Sequence, residues 1–378
     1  MSESICLQTR KNNKKFMVLS AIGIIMVVDA HSWTILDLFS SVIPYNSFFM
    51  PMFFFISGYF NKVGADTDIK AYITKKLRKL LLPYAVFSLF LLVMEYIIDL
   101  IICGSVPSDL YDKVVISLWS VILGVPDSIS SPLWFLYILF LVQIIYALLR
   151  KLLCKKWNSI VMLMIFCLFN IYSVYCAKKI EYNALMTIFL KCMFFMPFME
   201  LGVIYREKIE SKMERLKTGG NVILLLALLL LNTFRLMILP YPDSISFIDL
   251  EYMIGFTSPY VVTPLISSVI GILFWLTIVD TLGGAVYDNK LINYISANTL
   301  WILSLHVFFF NILNCILLFI HKQIIPLQGF TYSSASWYLW YPFNQFRVLY
   351  FSFGIIGPLL VKFMYDKVKM FFGKALPK

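Results

Sequence analysis

Long apolar runs separated by short polar segments alternate along almost the whole chain. Most runs hold roughly 15 to 23 residues, and a helix needs about 20 apolar residues to cross the hydrocarbon core of a bilayer. The pattern predicts an all-α fold, a polytopic membrane helix bundle of about ten spans. The predicted spans are 17–36, 46–60, 80–103, 133–149, 159–176, 184–204, 221–239, 261–280, 298–320 and 348–366.

Two apolar stretches are short for a bilayer. The span at 46–60 opens after Pro44 and is predicted to be tilted or partly re-entrant. Residues 114–125 are too short to span and are predicted to form an interfacial helix within a loop. We expect one integral-membrane domain over 1–378, with no appended soluble domain.

Composition agrees with the span pattern. The 378 residues are 60% hydrophobic and 14% charged, whereas a soluble protein carries about 25% charged residues. The net charge of +11 would suggest nucleic acid in a soluble protein. Here the positive residues fit better as topology signals, so no nucleic-acid partner is expected and the bilayer itself is the expected surroundings.

The distribution of positive charge predicts the orientation. With a cytoplasmic N-terminus, 25 of the 32 Lys and Arg residues fall in cytoplasmic segments. The positive-inside rule therefore predicts that both termini are cytoplasmic. Lys178 and Lys179, together in one predicted outer loop, are the local exception.

An ionisable pair lies inside the first apolar run. Asp29 and His31 occur in the stretch VVDAHS, and such residues in a membrane helix usually face a bundle interior or a water-filled cavity. A rise of about 1.5 Å per residue places His31 roughly 20 Å above the cytoplasmic end of its span. Glu95 and His306 fall at middle depth on other ascending spans, so these groups are candidates to line one polar pore.

Histidine is the natural general base near neutral pH, and a carboxylate can support it. His31 is therefore the candidate catalytic base, with Asp29, Glu95 and His306 as candidate supporting residues; a satisfied structural role is the alternative for Glu95 and His306. No nucleophile motif and no metal-ligand spacing accompanies them. We accordingly expect no bound cofactor, no metal, and direct transfer between two substrates.

A basic cluster stands before the third span. It contains Lys75, Lys76 and Arg78 and is followed by Pro83 and Tyr84. One interpretation is positive-inside anchoring at lipid headgroups. The other is a seat for the phosphates of a cytoplasmic donor such as coenzyme A, which arginine suits through its planar fork of donors.

The predicted outer loops are aromatic and poor in Lys and Arg. Residues 327–345 include Trp337 and Trp340 among several tyrosines. An interfacial aromatic belt is one interpretation. A platform on which sugar rings stack is the other.

Four stretches in order resemble the acyltransferase-3 family of integral-membrane O-acyltransferases, which acylate bacterial surface polysaccharides and related glycans. They are IGIIMVVDAHS (22–32), FFMPMFFFISGYF (48–60), KKLRKLLLPY (75–84) and PLWFLYILF (132–140). A fifth, ILSLHVFF (302–309), looks like a late-span histidine motif of many members. The resemblance extends over nearly the whole chain.

The resemblance implies an O-acyltransferase of the bacterial plasma membrane that moves an acyl group from acyl-CoA to a glycan hydroxyl, and acetyl-CoA is the expected donor. His31 would deprotonate that hydroxyl, and Lys75, Lys76 and Arg78 would hold the CoA phosphates. Trp134, Trp337 and Trp340 are candidates for the acceptor side.

One position departs from the family pattern. Many members carry Arg or Lys eleven residues before the histidine, where this chain has Ser20. Lys14, Lys15 and Arg78 are the candidates to replace that cation.

Two alternatives belong to other functional classes. A transporter or flippase of a lipid-linked sugar would also need a polar cavity, but no paired Gly/Pro-broken spans recur in two halves. A glycan polymerase or ligase would need basic residues in a large outer loop, and the predicted outer loops carry few.

Overall fold

The computed structural model describes residues 2–64, 66–103, 110–126, 128–153, 158–179, 181, 183–216, 218–240, 243–247, 254–327 and 344–375. Within these ranges the chain is almost entirely helical. The α-helices, in chain order, are α1 Ser2–His31, α2 Phe49–Tyr59, α3 Ile69–Lys76, α4 Leu82–Cys103, α5 Leu110–Ile122, α6 Trp134–Leu153, α7 Ser159–Ala177, α8 Ala184–Ile204, α9 Glu210–Met213, α10 Thr218–Ile238, α11 Thr263–Leu282, α12 Gly284–Tyr287, α13 Lys290–Ala297, α14 Thr299–Gln323 and α15 Arg347–Ala375. Two short antiparallel strands, β1 Ile245–Ser246 and β2 Gly255–Phe256, pair with Ile245 opposite Phe256.

Eight helical segments in the described part of the chain are long and apolar enough to cross a membrane. Each overlaps one of the predicted spans, so the all-α polytopic bundle is confirmed. The segments are Ile69–Ile98, Ile129–Leu153, Ser159–Ala177, Ala184–Met213, Thr218–Ile238, Thr263–Leu282, Thr299–Gln323 and Arg347–Phe371. The count of ten spans and the cytoplasmic placement of both termini stay predictions.

The first two predicted spans differ from the eight. Helix α1 ends at His31 rather than at 36, because the chain turns back over the helix end at that point. Helix α2 has 11 residues and is roughly 16 Å long, about half of a hydrocarbon core of about 30 Å. The predicted interfacial stretch 114–125 lies largely within α5, which is helical as expected.

Two compact units divide the chain. The first comprises Met1–Gly23, Asp37–Pro83 and Phe135–Asn293. The second comprises Ile24–Leu36, Tyr84–Trp134 and Tyr294–Lys378. The single domain over 1–378 stays a prediction.

The first unit is built around the contact of α2 with α8. A side chain at Gly58 would overlap the carbonyl oxygen of Met199, and one at Gly202 would overlap that of Phe55. Small residues of this kind let two helix backbones approach closely. Beside them, the rings of Phe54 and Phe195 stack at 3.9 Å. The glycine of the predicted second span is therefore a packing requirement.

The second unit is built around α14 and α15, which pack along each other. Gly354 of α15 lies against Phe310 of α14 and Val28 of α1, again with no room for a side chain. The 3₁₀ segment Ser128–Leu133 packs on α14. These contacts hold α14 beside the end of α1.

A wide π-helical turn at Leu77–Leu81 joins α3 to α4 without a break. It lies directly before Pro83, which has no N–H to donate and whose ring would clash with the carbonyl four residues back. A π-helical turn accommodates such a defect and is often found at functional sites. The basic cluster therefore lies on a continuous helix.

Candidate active site

His31 is the last residue of α1, at a tightly built helix end. The N–H groups of Ser32 and Thr34 both donate to the Asp29 carbonyl, each at 3.0 Å. Trp33 and Thr34 have φ values of 69° and 47°, a conformation that costs non-glycine residues about 1–3 kcal/mol and clusters at functional sites. The local sequence thus places His31 at a strained, defined turn.

The Asp29 carboxylate holds that turn together. It accepts the N–H of Ile35 at 2.9 and 3.0 Å and the N–H of Leu36 at 2.9 Å. Asp29 is fully buried, and backbone donors are what make such a buried charge tolerable. These bonds draw residues 35 and 36 back over the helix end, which is why α1 stops before its predicted end.

The imidazole of His31 has a defined tautomer. Its Nδ1 lies 2.8 Å from the Val27 carbonyl oxygen, so Nδ1 carries the proton and donates it. In the neutral ring Nε2 is then the acceptor nitrogen. The side chain is half-buried, so the ring combines a held orientation with partial access.

His306 of α14 is held in the same way. Its Nδ1 donates to the carbonyls of Ile302 and Leu303, both at 3.0 Å, and the residue is fully buried. Its Nε2 has no hydrogen-bond partner among the described residues. Buried polar atoms normally have partners, so this nitrogen is an unused acceptor inside the second unit.

The two imidazoles lie against each other. Their ring centroids are 5.1 Å apart, at an interplanar angle of 62°. The Phe310 ring stands nearly perpendicular to the His306 ring, with their centroids 5.8 Å apart. Depth along the predicted spans had placed both histidines near the middle of the bundle, and the structure brings them into contact.

The predicted supporting residue Glu95 and the predicted acceptor-side residue Trp134 lie in the same unit as the two histidines. Glu95 is buried on α4, and Trp134 is buried at the start of α6. Asp29 supports the turn after His31 rather than lying on the His31 face of the helix. Trp337 and Trp340 lie outside the described residues, and the acceptor-side role of all three tryptophans stays a prediction.

The basic cluster belongs to the first unit. Lys75 and Arg78 are exposed, and Lys76 is half-buried with its ammonium 5.1 Å from the centre of the Tyr72 ring. The three cations lie within little more than one helical turn of one another. Such an arrangement suits a polyanion such as a chain of phosphates.

The candidate replacements for the cation missing at Ser20 differ in their partners. Lys15 is buried, and its ammonium lies 2.7 Å from both an Asp280 carboxylate oxygen and the Tyr205 hydroxyl. Lys14 pairs with Asp288. No ion pair among the described residues includes Arg78, which makes it the strongest of the three candidates.

Sequence reasoning missed the Lys15–Asp280–Tyr205 cluster. The available signal was Asp280, an acidic residue inside the apolar run TIVDTL. Like Asp29, it is an ionisable group within a predicted span. Such residues usually pair with another polar group, so a partner for Asp280 should have been sought in the sequence.

The eight helical segments of the described chain that are long and apolar enough to cross a membrane indicate a multi-pass membrane protein. A family model described as an acyltransferase domain (Acyl_transf_3) matches residues 16–366. The chain therefore belongs to the acyltransferase-3 family and is a membrane acyltransferase. Comparisons with curated proteins and with solved structures found no match.

Proposed function

We propose that this protein transfers an acyl group, most simply acetyl, from cytoplasmic acyl-CoA to a hydroxyl of a cell-envelope polysaccharide or glycan precursor in a bacterial plasma membrane. The contact between His31 and His306 carries the proposal. It offers two acceptor nitrogens in a family whose members are acyltransferases. Neither the family nor the structure supports the transporter alternative.

In the proposed reaction, Nε2 of His31 accepts the proton of the acceptor hydroxyl. The hydroxyl oxygen attacks the thioester carbonyl, the new C–O ester bond forms, and the C–S bond breaks. The proton leaves His31 for the departing thiolate, which is released as the free thiol of CoA. The Nδ1–H bond to Val27 supports this role because it keeps the accepting lone pair on Nε2.

His306 is proposed as a supporting residue. Its buried Nε2 has no partner among the described residues, and its ring contacts that of His31, so we propose that it helps to orient the acceptor hydroxyl toward the base. Glu95 is proposed to tune the electrostatics of the same unit. Lys75, Lys76 and Arg78 are proposed to hold the CoA phosphates, with Arg78 supplying the charge that Ser20 lacks.

The test compares glutamine variants of the histidines. His31→Gln keeps a polar side chain but cannot take up a proton, so acyl transfer should fall by about 10²–10⁴-fold, the usual contribution of a general base. The measurement is acceptor-dependent release of CoA thiol by the purified chain in nanodiscs. It is paired with mass spectrometry of envelope glycans from cells with and without the variant.

The matched control is His321→Gln. His321 lies near the end of α14, outside the contacting pair, and this variant should keep close to full activity. Normal glycan acylation in the His31→Gln strain would overturn the assignment of the base. An unchanged acetyl-sized mass pattern on deletion of the gene would overturn the proposed reaction itself.

A further inference from the structure

A cavity of about 390 Å³ opens in the first unit where α7 ends. It is lined by Ala177 and Lys178 and by residues 254 and 256–259. Its volume lies within the range of small-molecule sites, about 300–1,000 Å³. The cavity lies in the unit that does not contain the paired histidines, and the mechanism proposed above does not use it.

Lys178 supplies the only ammonium among the lining residues. Its Nζ donates to the Ser258 carbonyl at 2.5 Å and lies 3.4 Å from the Tyr260 carbonyl. An ammonium has three N–H donors, so it retains capacity for an acceptor inside the cavity. Partial burial lowers the pKa of Lys178, while the charge of Asp243 raises it; an anion in the cavity would favour the charged form further.

A buried polar network holds the lining residue Ser258 in place. The Thr263 hydroxyl donates to Asp243 at 2.9 Å and is hydrogen-bonded to the Ser258 hydroxyl at 2.7 Å. Arg235 pairs with the same carboxylate at 3.1 Å. All four of these side chains are buried. Groups held in this way present a preformed site rather than a loose loop.

The remaining lining residues are mainly apolar. Phe256 and Pro259 offer aromatic and apolar surface, Thr257 adds a hydroxyl, and Ile254 is buried in the wall of the cavity. Such surface suits the C–H face of a sugar ring. A single ammonium matches the single negative charge of a carboxylate, whereas a phosphate monoester carries about −1.5 to −2 and is better held by arginine.

We propose that this cavity is an acceptor subsite that binds a carboxylate-bearing sugar residue through Lys178. The proposal rests on the glycan acceptor of the proposed function and narrows it to glycans that contain a uronate-type residue. It also gives a role to the lysine that departs from the charge distribution predicted by the positive-inside rule.

The test is direct binding to the purified full chain in nanodiscs without any acyl donor. The probes are trigalacturonic acid and its neutral analogue galactotriose. We expect saturable binding of the acid, at least tenfold tighter than of the neutral sugar. Lys178→Gln should weaken binding of the acid at least tenfold. The matched control, Lys179→Gln, removes the same charge from the exposed neighbour and should change binding by less than twofold.

A second pair of variants separates ligand binding from loop stability. Pro259 is an exposed lining residue of the cavity. Pro259→Glu should therefore weaken binding of the acid by charge repulsion, whereas Pro259→Gln, whose side chain has the same size as glutamate but no charge, should not. Equal affinity for the two sugars would overturn the proposal, and so would equal losses in Lys178→Gln and Lys179→Gln. Because no acyl donor is present, failure here would leave the His31 test of the reaction unaffected.

Discussion

Both histidines of the contacting pair donate Nδ1–H to a carbonyl one turn earlier in their own helix. His31 bonds to Val27, and His306 bonds to Ile302 and Leu303. A helix supplies these carbonyls at every position, so orientation of the ring needs no separate carboxylate. In each neutral ring Nε2 is consequently the acceptor nitrogen, which is the tautomer that the proposed base and its supporting residue require.

At the same scale, Asp29 is a positioning residue whose removal should loosen the turn after His31. Asp29→Asn retains one carbonyl oxygen for the two backbone N–H groups of Ile35 and Leu36. We expect the free energy of unfolding to fall by roughly 1–3 kcal/mol, because one buried N–H donor would lose its acceptor. The predicted signature is a lower kcat with little change in KM for acyl-CoA, measured alongside thermal unfolding.

The comparison variant is Asp288→Asn. That carboxylate pairs with Lys14 on the surface, and exposed pairs contribute at most about 1 kcal/mol. Asp29→Asn with unchanged kcat and unfolding temperature would show that the turn does not depend on the carboxylate.

Sequence reasoning identified these residue types but not their contacts. A rise of about 1.5 Å per residue gives an approximate depth along each span, which is enough to place both His31 and His306 at middle depth. The contact itself is a matter of tertiary packing, in which Gly354 of α15 lies against both Phe310 of α14 and Val28 of α1. The left-handed turn at Trp33 and Thr34 was not visible, because neither residue type favours it.

At the scale of elements, boundaries failed where tertiary contacts decide them. The predicted third span began at 80, whereas the helix runs from Ile69 through a π-helical turn. Hydropathy alone ends a span at a basic cluster, although a helix can continue through it. The apolar runs themselves were well predicted, since burial and lipid contact demand the same residues throughout.

The contact of α2 with α8 makes a sharp stability prediction. Gly202→Ala places a methyl group against the Phe55 carbonyl, and overpacking of this kind typically costs about 1–3 kcal/mol or more. We expect a clearly lower thermal unfolding temperature of the detergent-solubilised chain. Gly219→Ala is the control, because a side chain there meets open space.

In the first turn of α10, alanine is the better helix former by about 1 kcal/mol. Gly219→Ala should therefore be neutral or slightly stabilising. Equal unfolding temperatures for the two alanine variants would contradict the close backbone contact.

At the scale of the whole molecule, charge predicts orientation. The excess of Lys and Arg on one set of loops predicts that both termini are cytoplasmic. A green fluorescent protein fused after Lys378 should fluoresce, and alkaline phosphatase fused there should be inactive. Active phosphatase at the C-terminus would mean an odd number of crossings, or a reversed chain.

Fusions within the loop that carries Lys178 and Lys179 complete the experiment. The predicted topology requires the opposite result there, with active phosphatase. A fluorescent fusion at that loop would place the proposed sugar subsite on the cytoplasmic side and would separate it from an extracellular acceptor.

The short helix α2 also has a consequence for how the protein is made. Its 11 residues are too few to settle in a bilayer alone, and its glycine contact lies on α8, which begins at Ala184. At about 5–20 residues per second, the ribosome needs roughly 6 to 25 s to supply that partner. During this interval α2 must be held by the insertion machinery, because its packing partner has not yet been synthesised. Biogenesis of the enzyme therefore depends on the pairing of α2 with α8 after the intervening helices have been translated.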